Sequence, residues 1–513
     1  MTSKIKNTSD GYFINLLKKR ERIFLGLFMA LAAFRIFMFN AAFPFFNNVD
    51  EQCHFDLVYR YSLGEWPREA VPHYSKKNAE MIVLYETPEY FTSLDKYPRD
   101  RAPQPLWKYP FIKKSSQFTV RVERRMGKRN HEAGAFPLPY FLAGLWSKGG
   151  KTLGLEGGNF LYWMRFINVP LFVLLVWLSW MIARSLFPGD VFQRIGLPMM
   201  ITFFPQDLFY GITNDTFSAL FFALSFFLLL QIYLRERSIF YHAFAGFAVA
   251  LTFLLKNSNI SVVALLILVI ILKVRRLFFK KNLAESLPKL LALIFFSVTP
   301  IALMLFRNYL VLGDFMGTSD MVSYLSWTTK PLSELFQHPI FTPKGFCYFS
   351  AELTKTFWRG EFIWHGQDLA YPWADLLFII TTGVFFLFSA FSLFRKPGKN
   401  EGNYRSILLM SFFVVAVSVL FLIFISTRFD FGNCFYPSKK FPYFVSGRLI
   451  SCVIIPFFLI FLSGTKTFFK KIGGETGAFV FIALFIMAIS ISEIFLTWKV
   501  FGSAFNWFHL GLH

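Results

Sequence analysis

Runs of about twenty apolar residues, separated by short polar and charged segments, recur from residue 23 nearly to the end of the chain. A run of that length is what an α-helix needs to cross the hydrocarbon core of a bilayer. The first extends from Ile23 to Phe43 and is broken only by Arg35 and Asn40. Later runs fall near 161–183, 195–210, 216–234, 240–255, 260–273, 290–306, 373–394, 407–426, 449–463 and 478–497. The pattern therefore predicts an all-α fold, a polytopic transmembrane helical bundle of about eleven spans. Residues 45–158 break the pattern: they mix both signs of charge, carry prolines such as Pro67, Pro88 and Pro110, and contain no stretch able to cross a bilayer. The apolar segment Phe136–Trp146 within them suits a helix lying in the interface.

Charge orients the bundle. With this span count the N-terminus and segments 184–194, 235–237, 273–289, 395–405 and 466–471 share one side, and each is richer in Lys and Arg than in Asp and Glu. Cytoplasmic loops carry that excess. The chain then divides into a cytoplasmic tail over 1–22, a transmembrane module over 23–464, and a C-terminal part over 465–513 made of a cytoplasmic loop, the last span and a tail. Loops 45–158, 308–372 and 428–447 face outward, the first being a large extracytoplasmic loop.

Composition agrees. Of 513 residues 55% are hydrophobic and 16% charged, and the mean hydropathy is +0.47, which excludes a soluble enzyme. The net charge of +22 would suggest nucleic acid in a soluble protein; here it reports basic inner loops. Four cysteines, at 53, 347, 434 and 452, form no CxxC pair and support neither a disulfide scaffold nor a zinc cluster. The 71 phenylalanines are read as lipid-facing and packing bulk.

Candidate chemistry collects on the outer side. Asp50 and Glu51 stand just past the first span, with His54 one helical turn on. Adjacent carboxylates and an imidazole at a membrane exit offer a general base, a second acid and an orienting or proton-handling group; the same Asp is also an ordinary helix N-cap. Asn214 and Asp215 form a second acidic site before the span at 216, and again capping explains them as well. Arg121, Arg124, Arg125, Lys128 and Arg129 recur at helical spacing, a cationic face suited to a phosphate or simply a solvated one. Lys256, Arg307 and Arg448 mark span ends on the same side, where snorkelling is the plain explanation. Trp364 and His365 close an aromatic stretch from Phe357, which an interfacial belt explains. No DxD, HExxH or strand-bound GxGxxG motif is present, so group transfer at Asp50 needs a donor carried by lipid.

The Asp50-Glu51-x-x-His54-Phe55 sequence after the first span resembles the first-loop motif of GT-C superfamily membrane glycosyltransferases, particularly bacterial relatives of protein mannosyltransferases and of the lipid A aminoarabinose transferase. Other pieces follow in the family's order. Phe136-Pro137-Leu138-Pro139-Tyr140-Phe141 is similar to its interfacial helix, and Arg165 stands where a helix-entry Arg is usual. Asn214-Asp215-Thr216, Leu255-Lys256, Arg307-Asn308-Tyr309 with Gly313-Asp314, and Gly447-Arg448 resemble later motifs. Val49 replaces a Pro often found before the Asp, and Leu449 replaces a Tyr.

The resemblance implies an inverting glycosyltransferase of a bacterial inner membrane, moving a sugar from a polyprenyl-phosphate donor to a lipid, glycan or protein acceptor on the outer face. It implies Asp50 as general base, with Glu51 and His54 orienting the acceptor or holding a cation. Lys256, Arg307, Arg448 and the Arg121, Arg124, Arg125 face would stabilise the departing phosphate, and the aromatic stretch that ends in Trp364 and His365 would supply a sugar-stacking wall. It leaves open whether a divalent metal, held by Asp50 and Glu51, assists. Nucleic acid is not expected as a partner. The rival classes are a transporter or lipid flippase, with Arg35 as the pathway marker, and a noncatalytic member of the same fold. Neither an internal repeat nor paired broken helices of the transporter kind is seen in the sequence.

Overall fold

The computed structural model describes residues 12, 14–46, 50–98, 102–279, 283–394, 402–432, 434, 436–470 and 472–510. Lys280, Lys281, Arg395 and Lys471 of the basic segments, and most of the 1–22 tail up to residue 11, lie outside them.

The first apolar run forms α1 (Glu21–Ala42), which at 1.5 Å per residue is long enough to cross a membrane. Four shorter helices follow: α2 (Glu51–Ser62), α3 (Lys76–Tyr85), α4 (Ser116–Met126) and α5 (Leu138–Thr152). None has the length of a span. Next, α6 (Gly157–Phe166) runs on through Ile167 into α7 (Asn168–Leu186), and α8 (Val191–Thr202), α9 (Asp215–Leu234), α10 (Ile239–Leu255), α11 (Ile260–Phe279) and α12 (Leu283–Leu312) complete this part of the bundle. After α13 (Ser319–Tyr324) and α14 (Pro343–Arg359) come α15 (Pro372–Phe394), α16 (Gly402–Arg428), α17 (Ile454–Phe469) and α18 (Gly474–Phe501). Among the described residues, strand structure consists of two antiparallel pairs of two residues each, Thr328–Thr329 with Phe429–Asp430 and Ile363–Trp364 with Gln367–Asp368, and an isolated bridge between His73 and Arg129.

Among the described residues, 8 helices are long and apolar enough to cross a membrane. The other expected runs are covered by α8, α10 and α11. The α8 helix stops at Thr202, and α11 carries Lys273, Arg275 and Arg276 in its final turns. The protein is thus a multi-pass helical membrane protein.

Ion pairs gather near two sets of helix ends. One holds Glu21 with Arg194 (2.6 Å), Lys466 with Asp190 (2.8 Å), and Lys273 with Glu236 (2.7 Å). The other, at the opposite helix ends, holds Glu51 with Arg165 and Asp215 with Lys256. Between the layers, Arg35 of α1 meets Glu493 of α18, Nη2 to Oε1 at 2.5 Å, and the Tyr210 hydroxyl also donates to Glu493. Past α18 the chain folds onto the second layer: the Trp507 ring packs edge-on to Phe37 and Phe166, and its indole N–H donates to Asn159 Oδ1 at 3.2 Å. A second hydrophobic cluster, built on Phe55, Tyr59, Tyr140 and Phe160, lies beneath α2–α5 and joins them to the bundle.

Candidate active site

The site is organised by the turn from α1 into α2. Asp50 occupies the N-cap position of α2, yet its backbone is left-handed (φ 57°) and its side chain makes no capping hydrogen bond. Left-handed backbone is costly for a residue with a Cβ and collects at functional sites. The consequence is that Asp50 and Glu51, adjacent in sequence, face opposite ways.

Glu51 turns inward and is fully buried. Arg165 donates to it through Nη2 at 2.7 and 2.8 Å and through Nε at 3.0 Å, while the backbone N–H groups of Phe46 and Ile212 donate to it at 3.1 and 2.9 Å. The same guanidinium donates to the carbonyls of Asn40, Phe43 and Pro44. With its acceptor positions filled this way, Glu51 anchors α6 to the end of α1 and does not stand beside Asp50 as a second reacting acid.

Asp50 turns to the protein surface, one third exposed. Its Oδ1 lies 3.7 Å from His131 Nε2 and its Oδ2 lies 4.0 Å from Arg448 Nη2. His131 and Glu132 come from the loop after α4, which Asn130 locks in place: its side-chain amide donates to the Cys53 carbonyl and to Asp56 Oδ2, both at 3.0 Å. Glu132 Oε1 lies 4.0 Å from His131 Nε2. Burial pushes the Glu132 carboxyl up, opposed by His131.

Opposite Asp50, the head of α9 presents Asp215. It is buried, paired with Lys256 at the end of α10, and 3.7 Å from Arg448 Nη1. Asn214, the N-cap, makes no capping hydrogen bond either. Arg448 is delivered by Gly447, where a Cβ would overlap the Phe357 backbone. Around these cations stand Asp50, Asp215 and, beyond them, Glu361, which accepts from Ser446 Oγ and whose carboxyl is pushed up by burial. Two buried atoms here, Asp215 Oδ2 and Arg448 Nε, have no hydrogen-bond partner among the described residues. Buried polar groups are nearly always satisfied, and a donor left over beside Lys256 suits an anionic ligand.

The other expected site residues lie elsewhere. His54 sits behind the cluster, its Nδ1 3.0 Å from the Tyr140 hydroxyl; burial, then Arg448, Lys256 and His131, hold its pKa well below the ordinary value. Arg307, near the C-terminal end of α12, donates to the Pro67 carbonyl and to Asn308. The cationic stripe is divided, because α4 ends at Met126 and leaves Lys128 and Arg129 beyond it. Arg121 and Arg125 are both committed to Glu86, at 2.8 and 2.9 Å, and Arg124 is exposed. Trp364 is buried edge-on against Tyr90, and His365 is pinned to the backbone of Glu89 and Thr92. Sequence reading missed His131 and Glu132, whose spacing does not point to Asp50, and passed over Glu361 inside the aromatic stretch from Phe357 to His365.

Among the described residues, one donor set suits a metal ion: Asp50, Cys53 and His131 have ligand atoms within 4.8 Å of one another. The expected partner Glu51 is not among them. Carboxylate and imidazole fit a divalent cation. Cys53 is hydrogen-bonded with the Tyr74 hydroxyl at 3.0 Å, and burial and then Asp50 push its thiol well up.

A family model described as "Predicted membrane protein (DUF2142)" matches residues 34–431. No curated protein matches the chain. Among solved structures, the chain is similar to the Archaeoglobus fulgidus oligosaccharyltransferase complexed with zinc and sulfate, at 12% identity and a TM-score of 0.41, over 92% of this chain and 52% of that one. It is also similar to the archaeal oligosaccharyltransferase AglB from Archaeoglobus fulgidus in complex with an inhibitory peptide and a dolichol-phosphate, at 12% identity and a TM-score of 0.38, over 94% and 56%. The chain spans about half the length of these structures.

Proposed function

The chain belongs to the DUF2142 family of predicted membrane proteins, and we propose that it is an integral membrane glycosyltransferase. It moves a sugar from a polyprenyl-phosphate-linked donor to a hydroxyl-bearing acceptor on the outer face of a bacterial inner membrane. The observation that carries this reading is the orientation of Asp50: a carboxylate at a membrane exit that caps no helix, held by left-handed backbone toward His131 and Arg448.

The reaction follows from that placement. As the acceptor oxygen bonds to the anomeric carbon, its proton passes to an Asp50 carboxylate oxygen. The bond from that carbon to the phosphate oxygen breaks, and its electron pair leaves with the polyprenyl phosphate. Attack opposite the leaving group inverts the anomeric centre. Lys256 and Arg448 face the growing phosphate charge, the placement by which fixed cations lower such barriers. Asp215 holds both cations in position, and Glu51 with Arg165 fixes the turn that presents Asp50. A divalent ion held by Asp50 and His131 would add charge neutralisation at the phosphate, and no step above depends on it.

The two ion-pair layers support crossings by α10 and α11, which run from one to the other, while α8 begins at the first and at Thr202 reaches Arg35; with α8 counted as a span there are eleven crossings, and the Lys and Arg excess puts the N-terminus inside. On that reading loops 45–158, 308–372 and 428–447 face outward. Arg35, the residue on which a transport pathway would rest, is spent on Glu493 and Tyr210, which favours the enzyme.

The decisive experiment compares purified wild type with Asp50→Asn. Because no capping bond is lost, thermal stability should be unchanged, while transfer from a polyprenyl-phosphate sugar should fall at least ~10²-fold, the usual contribution of a general base. A variant that transfers within a few-fold of wild type would remove Asp50 from this role.

A further inference from the structure

A separate cavity of about 450 Å³ opens between the segment after α2 and the outer end of α12. Two guanidiniums line it, Arg68 and Arg129, and neither is ion-paired among the described residues. Glu69 and Asp320 also line it, so the formal charges sum to zero and a bare anion gains no net attraction. A phosphate ester carrying free hydroxyls satisfies both kinds of group: its phosphate oxygens accept from the guanidiniums, and its hydroxyls donate to the carboxylates.

Two further features locate the ligand. Val311 and Leu312 of α12 form one wall, and the neighbouring Leu303, Phe306 and Leu310 are exposed apolar side chains on that membrane helix, so the cavity opens at the lipid boundary. Tyr324 forms another wall, and its ring stacks on His131 with centroids 6.3 Å apart. Since His131 Nε2 is 3.7 Å from Asp50, one pair of stacked rings separates the cavity from the proposed base. The two loops that bound it are held together where Gly134 meets Gly317, so closely that a Cβ on Gly134 would overlap the Gly317 carbonyl.

We propose that this cavity binds a membrane lipid whose head group is a phosphate ester bearing free hydroxyls. This binding site does not depend on the glycosyltransferase reading. The test is a binding titration of the purified full chain with dioctanoyl phosphatidylglycerol. Wild type should bind it saturably, Arg68→Gln with Arg129→Gln should weaken binding at least tenfold, and Glu69→Gln with Asp320→Asn should weaken it also. Arg68, Arg129, Glu69 and Asp320 are exposed, so the variants should fold, and unchanged melting would show it. Dioctanoyl phosphatidylcholine, which lacks the hydroxyls, should bind at least tenfold more weakly. Equal affinity of wild type and the arginine variant, or of the two lipids, would overturn the proposal; glycerol 1-phosphate binding as tightly as the lipid would overturn the membrane source. Asp50→Asn should keep full lipid binding. If it also keeps transfer activity while the arginine variant loses lipid binding, the cavity stands and the catalytic assignment falls.

Discussion

Glu51 and Arg165 lie 2.7 Å apart with neither side chain reaching solvent. Removing one partner of such a pair leaves a buried charge uncompensated, at a cost of about 3–5 kcal/mol. Glu51→Gln and Arg165→Met should each lower thermal stability by that order, and transfer activity should fall with the folded fraction. Asp50→Asn should do the reverse, losing activity and keeping stability. Melting curves in detergent for the three proteins distinguish an anchor from a base; a Glu51→Gln protein that melts like wild type would mean that the pair does not hold the turn.

The phosphate assignment predicts a contrast between two sets of arginines. Arg448→Gln should weaken binding of a polyprenyl-phosphate sugar at least tenfold, because it deletes a cation whose Nε is left over in the buried cluster. Arg121→Gln and Arg125→Gln should leave donor binding within twofold of wild type, since both side chains are engaged with Glu86. Equilibrium binding of the donor to each purified variant checks this, and a stripe variant that binds as poorly as Arg448→Gln would return the phosphate to α4.

His54 gives the fold a pH dependence with a definite sign. Its pKa in the folded protein is held well below its ordinary 6.5, chiefly by burial. Between those two values the unfolded chain takes up a proton that the folded chain refuses, so stability is complete above the ordinary value and falls as pH drops through the window. Thermal midpoints should therefore fall from about pH 7.5 to about pH 5, and His54→Gln should fall less steeply. An equal slope in the two proteins would show that other groups set the dependence.

Orientation is open to direct labelling. In a background lacking Cys347 and Cys434, the cysteines not buried, a single cysteine at Glu69 should react with an impermeant maleimide in intact cells. One at Glu236, whose side chain is 65% exposed, should react only after the membrane is permeabilised. The opposite pattern would invert the bundle.

Much of the site was legible as separate pieces. Asp50, Asp215, Lys256 and Arg448 stand out in the sequence because each is a charge at the edge of a long apolar run, and a charge placed there is conspicuous. Their assembly was not legible, since α9, α10 and the start of the Gly447–Phe469 segment meet only through packing. The division of labour between Asp50 and Glu51 was hidden for another reason: helical periodicity separates neighbours by about 100°, but which neighbour faces inward here depends on the backbone at Asp50 and on a partner 114 residues away. His131 carried no local signal, because the loop that brings it to Asp50 is shaped by Asn130 reaching back to α2. The arginine stripe shows the converse failure, in which a regular spacing extends past the end of its helix at Met126.

The contact between Arg35 and Glu493 also bears on how the protein is made. The two residues are separated by 458 positions, and synthesis at ~5–20 residues per second leaves an interval on the order of tens of seconds before the second is translated. During that time α1 carries an arginine midway along a membrane segment without its carboxylate. The nascent first helix must therefore wait in a polar setting, at the insertion machinery or near the headgroups, until α18 arrives. Glu493→Gln should accordingly impair maturation of the newly made chain more than it impairs the activity of molecules that have already assembled.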